Sequence, residues 1–403
     1  MTMTTTSPSP NFQLAPLARA ISAGKDFQLG PTQKPLAGAV VSDIHLGHRR
    51  NGTRGIVINL RDAFPDNAQT GELDIIWLAG DVFDDLLQLS DEDLADIDFW
   101  IADFLRICKK WNISVRVLEG TPSHDWKQSQ RFVTMNEAAQ IGADLKYVTT
   151  LSIEYIEHLG INVLYVPDEW ELTTEKTLGQ VHELLRAKGL DKVDYAIMHG
   201  QFAHQLPDHV KAQSHDSEAY LSIVKELIFI GHVHTYSRYK RILAQGSFDR
   251  LAHGEEAPKG HLRFFKQTNG DMQVQFHENF NAMRFITIKC LGMDLEQTLE
   301  EVDKVVLTLP DESFVRVESE STNPIFANMD LLIRNYPFIQ FSKLSREDAE
   351  SEKALIEDQT LFVPITITRD NIVPLLMERL ASNGATDALF SRSERILQRI
   401  IQQ

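Results

Sequence analysis

Six short apolar runs, rich in β-branched residues, mark out residues 36–234: LAGAVVS (36–42), LDIIWLAG (73–80), ISVRVLEG (113–120), INVLYVP (161–167), VDYAIMHG (193–200) and ELIFIGHVH (226–234). Between them lie LADIDFWIADFLRICKKW (94–111) and TEKTLGQVHELLRAKG (174–189), whose apolar residues recur at three- and four-residue steps. Strand patterns alternating with helix patterns favour an α/β layered domain. From about 242 the pattern becomes strand-rich, with HLRFF and MRFITIKC. A smaller α+β unit follows, with LEQTLEEVDKVV as helix and SFVRVES as strand. Residues 370–403 carry helical patches ending in SRSERILQRIIQQ, an apolar stripe with charged flanks, and no internal repeat is found.

Composition narrows the setting. A chain of 403 residues has room for about two to three domains and a sizeable core. Its 43% hydrophobic and 24% charged residues are those of an ordinary globular protein. Cys108 and Cys290 form neither a zinc spacing nor a disulfide framework, so a reducing, cytoplasmic compartment is the expectation. No apolar run approaches the ~18 residues of a membrane span. The opening MTMTTTSPSPNF lacks the basic and apolar regions of a signal peptide, and 1–35 reads as a disordered tail. The net charge of −17 argues against a general electrostatic sponge for nucleic acid, yet leaves room for a local basic groove at HRRNGTR (48–54) or YSRYKR (236–241).

The chemistry sits at the strand ends. Asp43-x-His45 follows the first run, GDVFD with Asp81 and Asp84 the second, and His124-Asp125 the third. His199 closes the fifth, and His232 and His234 close the sixth. Each piece has a bland reading: an N-cap for GDVFD, a core histidine for His199, a satisfied surface pair for His124-Asp125. Their conjunction at corresponding strand ends, where open α/β sheets form their crevices, favours a metal centre. Asp43, His45, Asp81, His199, His232 and His234 are too many for one tetrahedral ion and suit two ions sharing a carboxylate. Carboxylate and imidazole without thiolate favour Mn²⁺, Fe²⁺ or Zn²⁺. Two such ions about 3.5–4 Å apart can hold a phosphate diester, activate a water and stabilise in-line displacement. His124, outside that ligand set and beside an acid able to orient it, fits the proton donor to the leaving oxygen.

In order, SDIHLG, GDVFD, GTPSHD, MHG and GHVH resemble the five motifs of the calcineurin-like metallophosphoesterases. Within that superfamily, QGSFDRLAHGEEAPKGHLRF (245–264) resembles the segment after the last motif of SbcD-type DNA repair nucleases. MRFITIK (283–289) looks like the opening strand of their DNA-capping domain, and the long tail and short C-terminal part suit a phage-encoded member acting in the host cytoplasm.

The resemblance implies a β-sandwich flanked by helices over 36–280, a DNA-capping domain over 281–340, and a linker with partner-binding helices over 341–403. It implies a first metal on Asp43, His45 and His234, a bridge at Asp81, and a second metal on His199 and His232, with Mn²⁺ the expected ion. His124 would be the catalytic acid, with Asp125 and Asp84 completing the catalytic set. The family's third motif reads Gly-Asn-His-(Asp/Glu), whereas this chain has GTPSHD and no Asn. Ser123 takes the position counted back from His124 and Thr121 counted forward from Gly120; Ser123 is the expected replacement, with a looser second ion. Arg49, Arg50, Arg238, Arg250 and Lys259 are the expected DNA contacts. Implied partners are DNA, a second copy of the chain and an SbcC-type coiled-coil ATPase, the last docking on 371–403 through Ile396, Leu397, Ile400 and Ile401. The expected function is therefore a metal-dependent exonuclease or endonuclease. Its alternatives are a small-substrate phosphodiesterase or phosphatase on the same fold, and a non-catalytic scaffold.

Overall fold

A computed structural model describes residues 35–88, 93–206 and 212–348. The expected tail up to residue 34 and the stripe Ile396, Leu397, Ile400 and Ile401 lie outside the described residues.

The apolar runs are strands of two sheets. In the first, β1 (Leu36–Val41), β2 (Ile75–Ala79), β3 (Ser114–Leu118) and β4 (Leu145–Val148) run parallel. The hairpin of β11 (Gly260–Lys266) and β12 (Met272–Glu278) adds to β1 antiparallel, giving the order β12-β11-β1-β2-β3-β4. The second sheet has a parallel centre, β6 (Ile161–Val166), β7 (Val193–His199), β8 (Val224–Gly231) and β10 (Ile242–Ala244). Antiparallel β5 (Ser152–Ile156) and β9 (Ser237–Tyr239) form its edges.

Strand parity explains why the runs are apolar throughout. On β2, Ile75, Trp77 and Ala79 point between the sheets, while Ile76 and Leu78 point outward under helices. On β7, Tyr195 and Ile197 face inward and Ala196 and Met198 outward. A strand buried on both faces has no polar alternation to show. Between the sheets Trp77 stacks on Phe264 at 5.5 Å and meets Tyr195 and Phe229. Each such apolar side chain contributes roughly 1.5–3 kcal/mol relative to exposure.

Helices cover both outer faces. Over the first sheet lie α1 (Thr53–Ala63), α3 (Asp93–Trp111) and α5 (Gln130–Ala138), with the single turn α2 (Ala68–Gly71) against α3 and the short turn α4 (Pro122–Asp125) following β3. Over the second lie α6 (Thr174–Ala187) and α7 (Ser217–Ile223). α3 buries Ile97, Trp100, Ile101, Phe104, Leu105 and Cys108, the stripe its periodicity predicts.

A separate sheet of β13 (Phe285–Lys289), β14 (Phe314–Ser319) and β15 (Gln340–Ser345) has its own core with α8 (Leu295–Val306) and α9 (Met329–Asn335). Asp294 and Gln297 close a reciprocal capping box at the start of α8. All three strands are parallel, so this unit is built of β-α-β crossovers rather than the expected α+β arrangement, and it runs on to Ser345, past the expected boundary at 340. Among the described residues, no helix is long and apolar enough to cross a membrane.

Candidate metal centre

The carboxyl ends of β1, β2 and β3 in one sheet and of β7 and β8 in the other meet at one place. Asp43 N–H donates to the Gly80 carbonyl at 3.1 Å, and Ile44 and His45 N–H groups both donate to the Asp81 carbonyl. Gly80, with φ +87, lies so close to His199 that a Cβ would come within 2.2 Å of its Nδ1. Asp43, His45, Asp81 and His232 all have left-handed backbones, with φ of 51, 56, 49 and 97. Outside glycine such a conformation costs of order 1–3 kcal/mol and persists where the surroundings over-determine it, as at functional sites. Four expected ligands share it.

Asp43, His45 and His234 form one cluster whose ligand atoms lie within 4.8 Å of one another. His45 Nδ1–H donates to Asp84 Oδ1 at 2.9 Å, and His234 Nδ1–H donates to Glu255 Oε1 at 2.9 Å. Each bond fixes a tautomer that leaves Nε2 with a lone pair. Those two Nε2 atoms face each other at 3.3 Å, and His234 Nε2 lies 3.7 Å from Asp43 Oδ1. Two imidazole nitrogens facing each other beside a carboxylate suit a shared positive charge, a proton or a metal ion, between them.

Asp81, His199 and His232 form the second cluster. His199 has the inward parity of Tyr195 and Ile197 and is fully buried. Its Nδ1–H donates to the Ala79 carbonyl at 2.7 Å, leaving Nε2 buried without a hydrogen-bond partner, 3.2 Å from Asp81 Oδ2. Burial opposes a charged ring here, but Asp81 outweighs it, with Asp43 and Asp168 adding, and lifts His199 well above the ordinary imidazole range. Burial likewise opposes the Asp81 charge, and His199, His45 and the Thr121 N–H together hold that carboxyl well below its usual range. A buried imidazole nitrogen 3.2 Å from an ionised carboxylate holds a proton there or, in its place, suits a divalent cation with borderline nitrogen and oxygen ligands. Asp81 lies between the clusters, since its Oδ2 is also 4.0 Å from His45 Nε2.

The third strand end departs from expectation at Ser123. Pro122 opens α4, and the Thr121 carbonyl accepts the His124 and Asp125 N–H groups. That turn leaves Ser123 exposed and puts Thr121 in the centre. Thr121 N–H donates to Asp81 Oδ1 at 2.6 Å, and its Oγ1 lies 3.2 Å from Asp81 Oδ2 and 3.4 Å from His232 Nδ1. Thr121, not Ser123, therefore stands at the second cluster.

His124 stands beside the first cluster, its ring centroid 5.1 Å from that of His45. Its Nδ1–H donates to the Asp84 main-chain carbonyl at 2.8 Å, so Asp84 orients two imidazoles, one through its carboxylate and one through its backbone. Asp125 does not take the orienting place expected of it. Fully buried, it accepts the Phe83 N–H at 3.0 Å and the Gly120 N–H at 2.7 Å, tying two strand ends together. Burial, with the Asp81 charge adding, pushes its carboxyl up to about 7.

The expected cations divide. Arg49, Arg50 and Arg238 are exposed, Arg49 with an 87% accessible side chain. Arg250 and Lys259 are buried and not placed to meet DNA. Arg250 donates to the Ala257, Ala282 and Met283 carbonyls, bracing the start of the small unit. Lys259 Nζ donates to the His234 carbonyl at 2.8 Å and Ser247 Oγ at 2.7 Å and pairs with Glu255 at 3.0 Å, a support beneath His234. Glu255 lies inside QGSFDRLAHGEEAPKGHLRF, where one acidic residue among three looks like another in sequence. Burial opposes its charge, but His234 and Lys259 hold its carboxyl down at about 2.

No family model and no curated protein matches the chain. Among solved structures 38 chains match; one, a crystal structure, is 12% identical, pairs its whole length with 60% of this chain and has a TM-score of 0.35. At that score the likeness carries no argument.

Proposed function

We propose that the chain is a two-metal phosphodiesterase of the calcineurin-like metallophosphoesterase type, and specifically an SbcD-type DNA nuclease subunit. The observation that carries this reading is the pair of histidine–aspartate clusters joined through Asp81, with His124 beside them and outside both sets of expected ligands. Asp43, His45 and His234 would hold one ion, His199 and His232 the other, with Asp81 between them and Mn²⁺ the preferred metal. When bound, the ions supply an activated water and positive charge for the developing phosphorane. His124 Nδ1–H stays committed to the Asp84 carbonyl, so Nε2 is the atom that carries a proton to the departing oxygen. Exposed Arg49, Arg50 and Arg238 offer phosphate contacts outside the centre, and the small unit of β13–β15 takes the place of a DNA cap. An SbcC-type ATPase binding through 371–403 and a second copy of the chain complete the proposed assembly.

The test is digestion of end-labelled duplex and single-stranded DNA with Mn²⁺ or Mg²⁺, beside bis-p-nitrophenyl phosphate. Mn²⁺-dependent DNA cleavage is expected. Turnover of the small diester with no DNA cleavage would point to a small-substrate phosphodiesterase, and no turnover of either to a scaffold.

A further inference from the structure

Asp168 follows β6, a strand of the parallel centre whose end carries none of the expected ligands. Its Oδ1 accepts the Glu169 N–H at 3.0 Å, which fixes the carboxylate and leaves Oδ2 turned toward the second cluster. Oδ2 lies 3.1 Å from Thr121 Oγ1 and 3.5 Å from His232 Nδ1. Thr121 Oγ1 in turn lies 3.2 Å from Asp81 Oδ2. One hydroxyl proton thus stands between two carboxylates. Both are largely screened from water, with side chains 13% and 3% exposed, and like charges so placed repel unless a cation joins them.

On the reading given above, we propose that Asp168 is an anionic ligand of the second ion and, with Thr121, makes up the coordination that this chain's third motif lacks. The first ion would then have Asp43 and a share of Asp81, and the second Asp168 and a share of Asp81. The two sites become matched in charge, in place of a second site weakened by a neutral hydroxyl, and the added hard oxygen suits Mn²⁺.

The test is Mn²⁺ binding to the full chain by electron paramagnetic resonance and calorimetry, with anomalous diffraction from Mn²⁺-soaked crystals. Wild-type protein should bind two ions of similar affinity, with an Asp168 oxygen about 2.2 Å from one of them. Asp168→Ala should weaken one ion by more than ~100-fold, beyond the ~10–100-fold loss expected of an outer support, and leave the other unchanged. Asp168→Asn, which keeps shape and an oxygen, should fall between. Two ions bound to Asp168→Ala as tightly as to wild type, or an ion out of bonding reach of Asp168, would overturn the proposal while the two-metal reading stood. Wild-type protein that takes up no ion would overturn both.

Discussion

His45 and His234, on one side of Asp81, rest their outer nitrogens on carboxylates, Asp84 and Glu255. On the other side His199 rests on a neutral main-chain carbonyl, and the extra carboxylate, Asp168, faces the cluster directly. Negative charge stands behind the imidazoles in the first half and beside them in the second. A carboxylate behind an imidazole raises its basicity and fixes its tautomer; a carboxylate among the ligands adds its whole charge to the ion. The same net attraction can thus be reached by two routes, and each route makes different residues sensitive.

Asp81→Ala should have the largest effect, because Asp81 is the one group both halves share. Metal analysis after dialysis should find neither ion, and cleavage should vanish. One ion retained at full affinity would show that the halves are independent. His124→Ala should come next, lowering cleavage by ~10²–10⁴-fold while both ions stay bound. Unchanged cleavage would remove His124 from the proton-donor role.

Glu255→Gln bears on the asymmetry itself. The His234 ring loses its charged support and Lys259 its partner, so the first ion should weaken by ~10–100-fold with the second unaffected, read by Mn²⁺ titration. Equal weakening of both ions would mean that the two halves do not differ in this way.

Acid titrations of metal occupancy need a scaffold baseline, which histidines elsewhere set. Burial, then Arg263, lowers His277 to about 4, and burial, then Arg316 and Arg50, does the same to His253. His261, stacked on His277, is also pushed well below the ordinary imidazole range by burial, Arg263 and His277. With folded values below the ordinary 6.5, the unfolded chain takes up protons first. The stability these rings contribute is complete above about pH 6.5 and is lost as pH falls through about 4. Buried Asp125, with its carboxyl up at about 7, works in the opposite sense, so the readable quantity is a difference: between about pH 6.5 and 4 the urea midpoint of metal-free His277→Phe should fall less, or rise more, than that of wild-type protein. Parallel midpoint profiles of the two proteins from about pH 6.5 down to about pH 4 would contradict this.

Much of this arrangement was legible because it depends on period and position. The apolar runs became strands, 94–111 and 174–189 became helices, and the strand-end acids and histidines stand in three overlapping or adjoining groups: Asp43, His45 and His234; Asp81, His199 and His232; and Asp84 and His124 around His45. Asp168 follows a strand as plainly as Asp43 does, yet no short motif marks it. Glu255, Arg250 and Lys259 belong to a segment whose pattern was recognised but whose burial was not, since a lysine beneath a ligand and a lysine on a DNA surface look alike in sequence. The left-handed backbones of Asp43, His45, Asp81 and His232 had no sequence signal, because only glycine advertises that conformation. Division into two sheets was equally silent, since strands buried on both faces look the same whichever sheet takes them.

The smallest expected effect is at Ser123, and it tests the third strand end most directly. With Pro122 in the first helical position and the Thr121 carbonyl accepting two N–H bonds, the turn aims Thr121 inward and Ser123 outward. Ser123→Ala should leave the Mn²⁺ requirement unchanged. Thr121→Val keeps the side chain's shape and the Thr121 N–H bond to Asp81, and removes the hydroxyl alone. A lost hydroxyl interaction of ~0.5–1.5 kcal/mol corresponds to a roughly 2–10-fold weaker second ion. The effect stays modest because Asp168 carries the anionic share of that half. If Ser123→Ala raised the Mn²⁺ requirement as much as Thr121→Val, the turn would have to reopen when metal binds. If Thr121→Val abolished the second ion, the hydroxyl rather than Asp168 would be the dominant addition, and the two halves would differ in ligand number rather than in where their charge is placed.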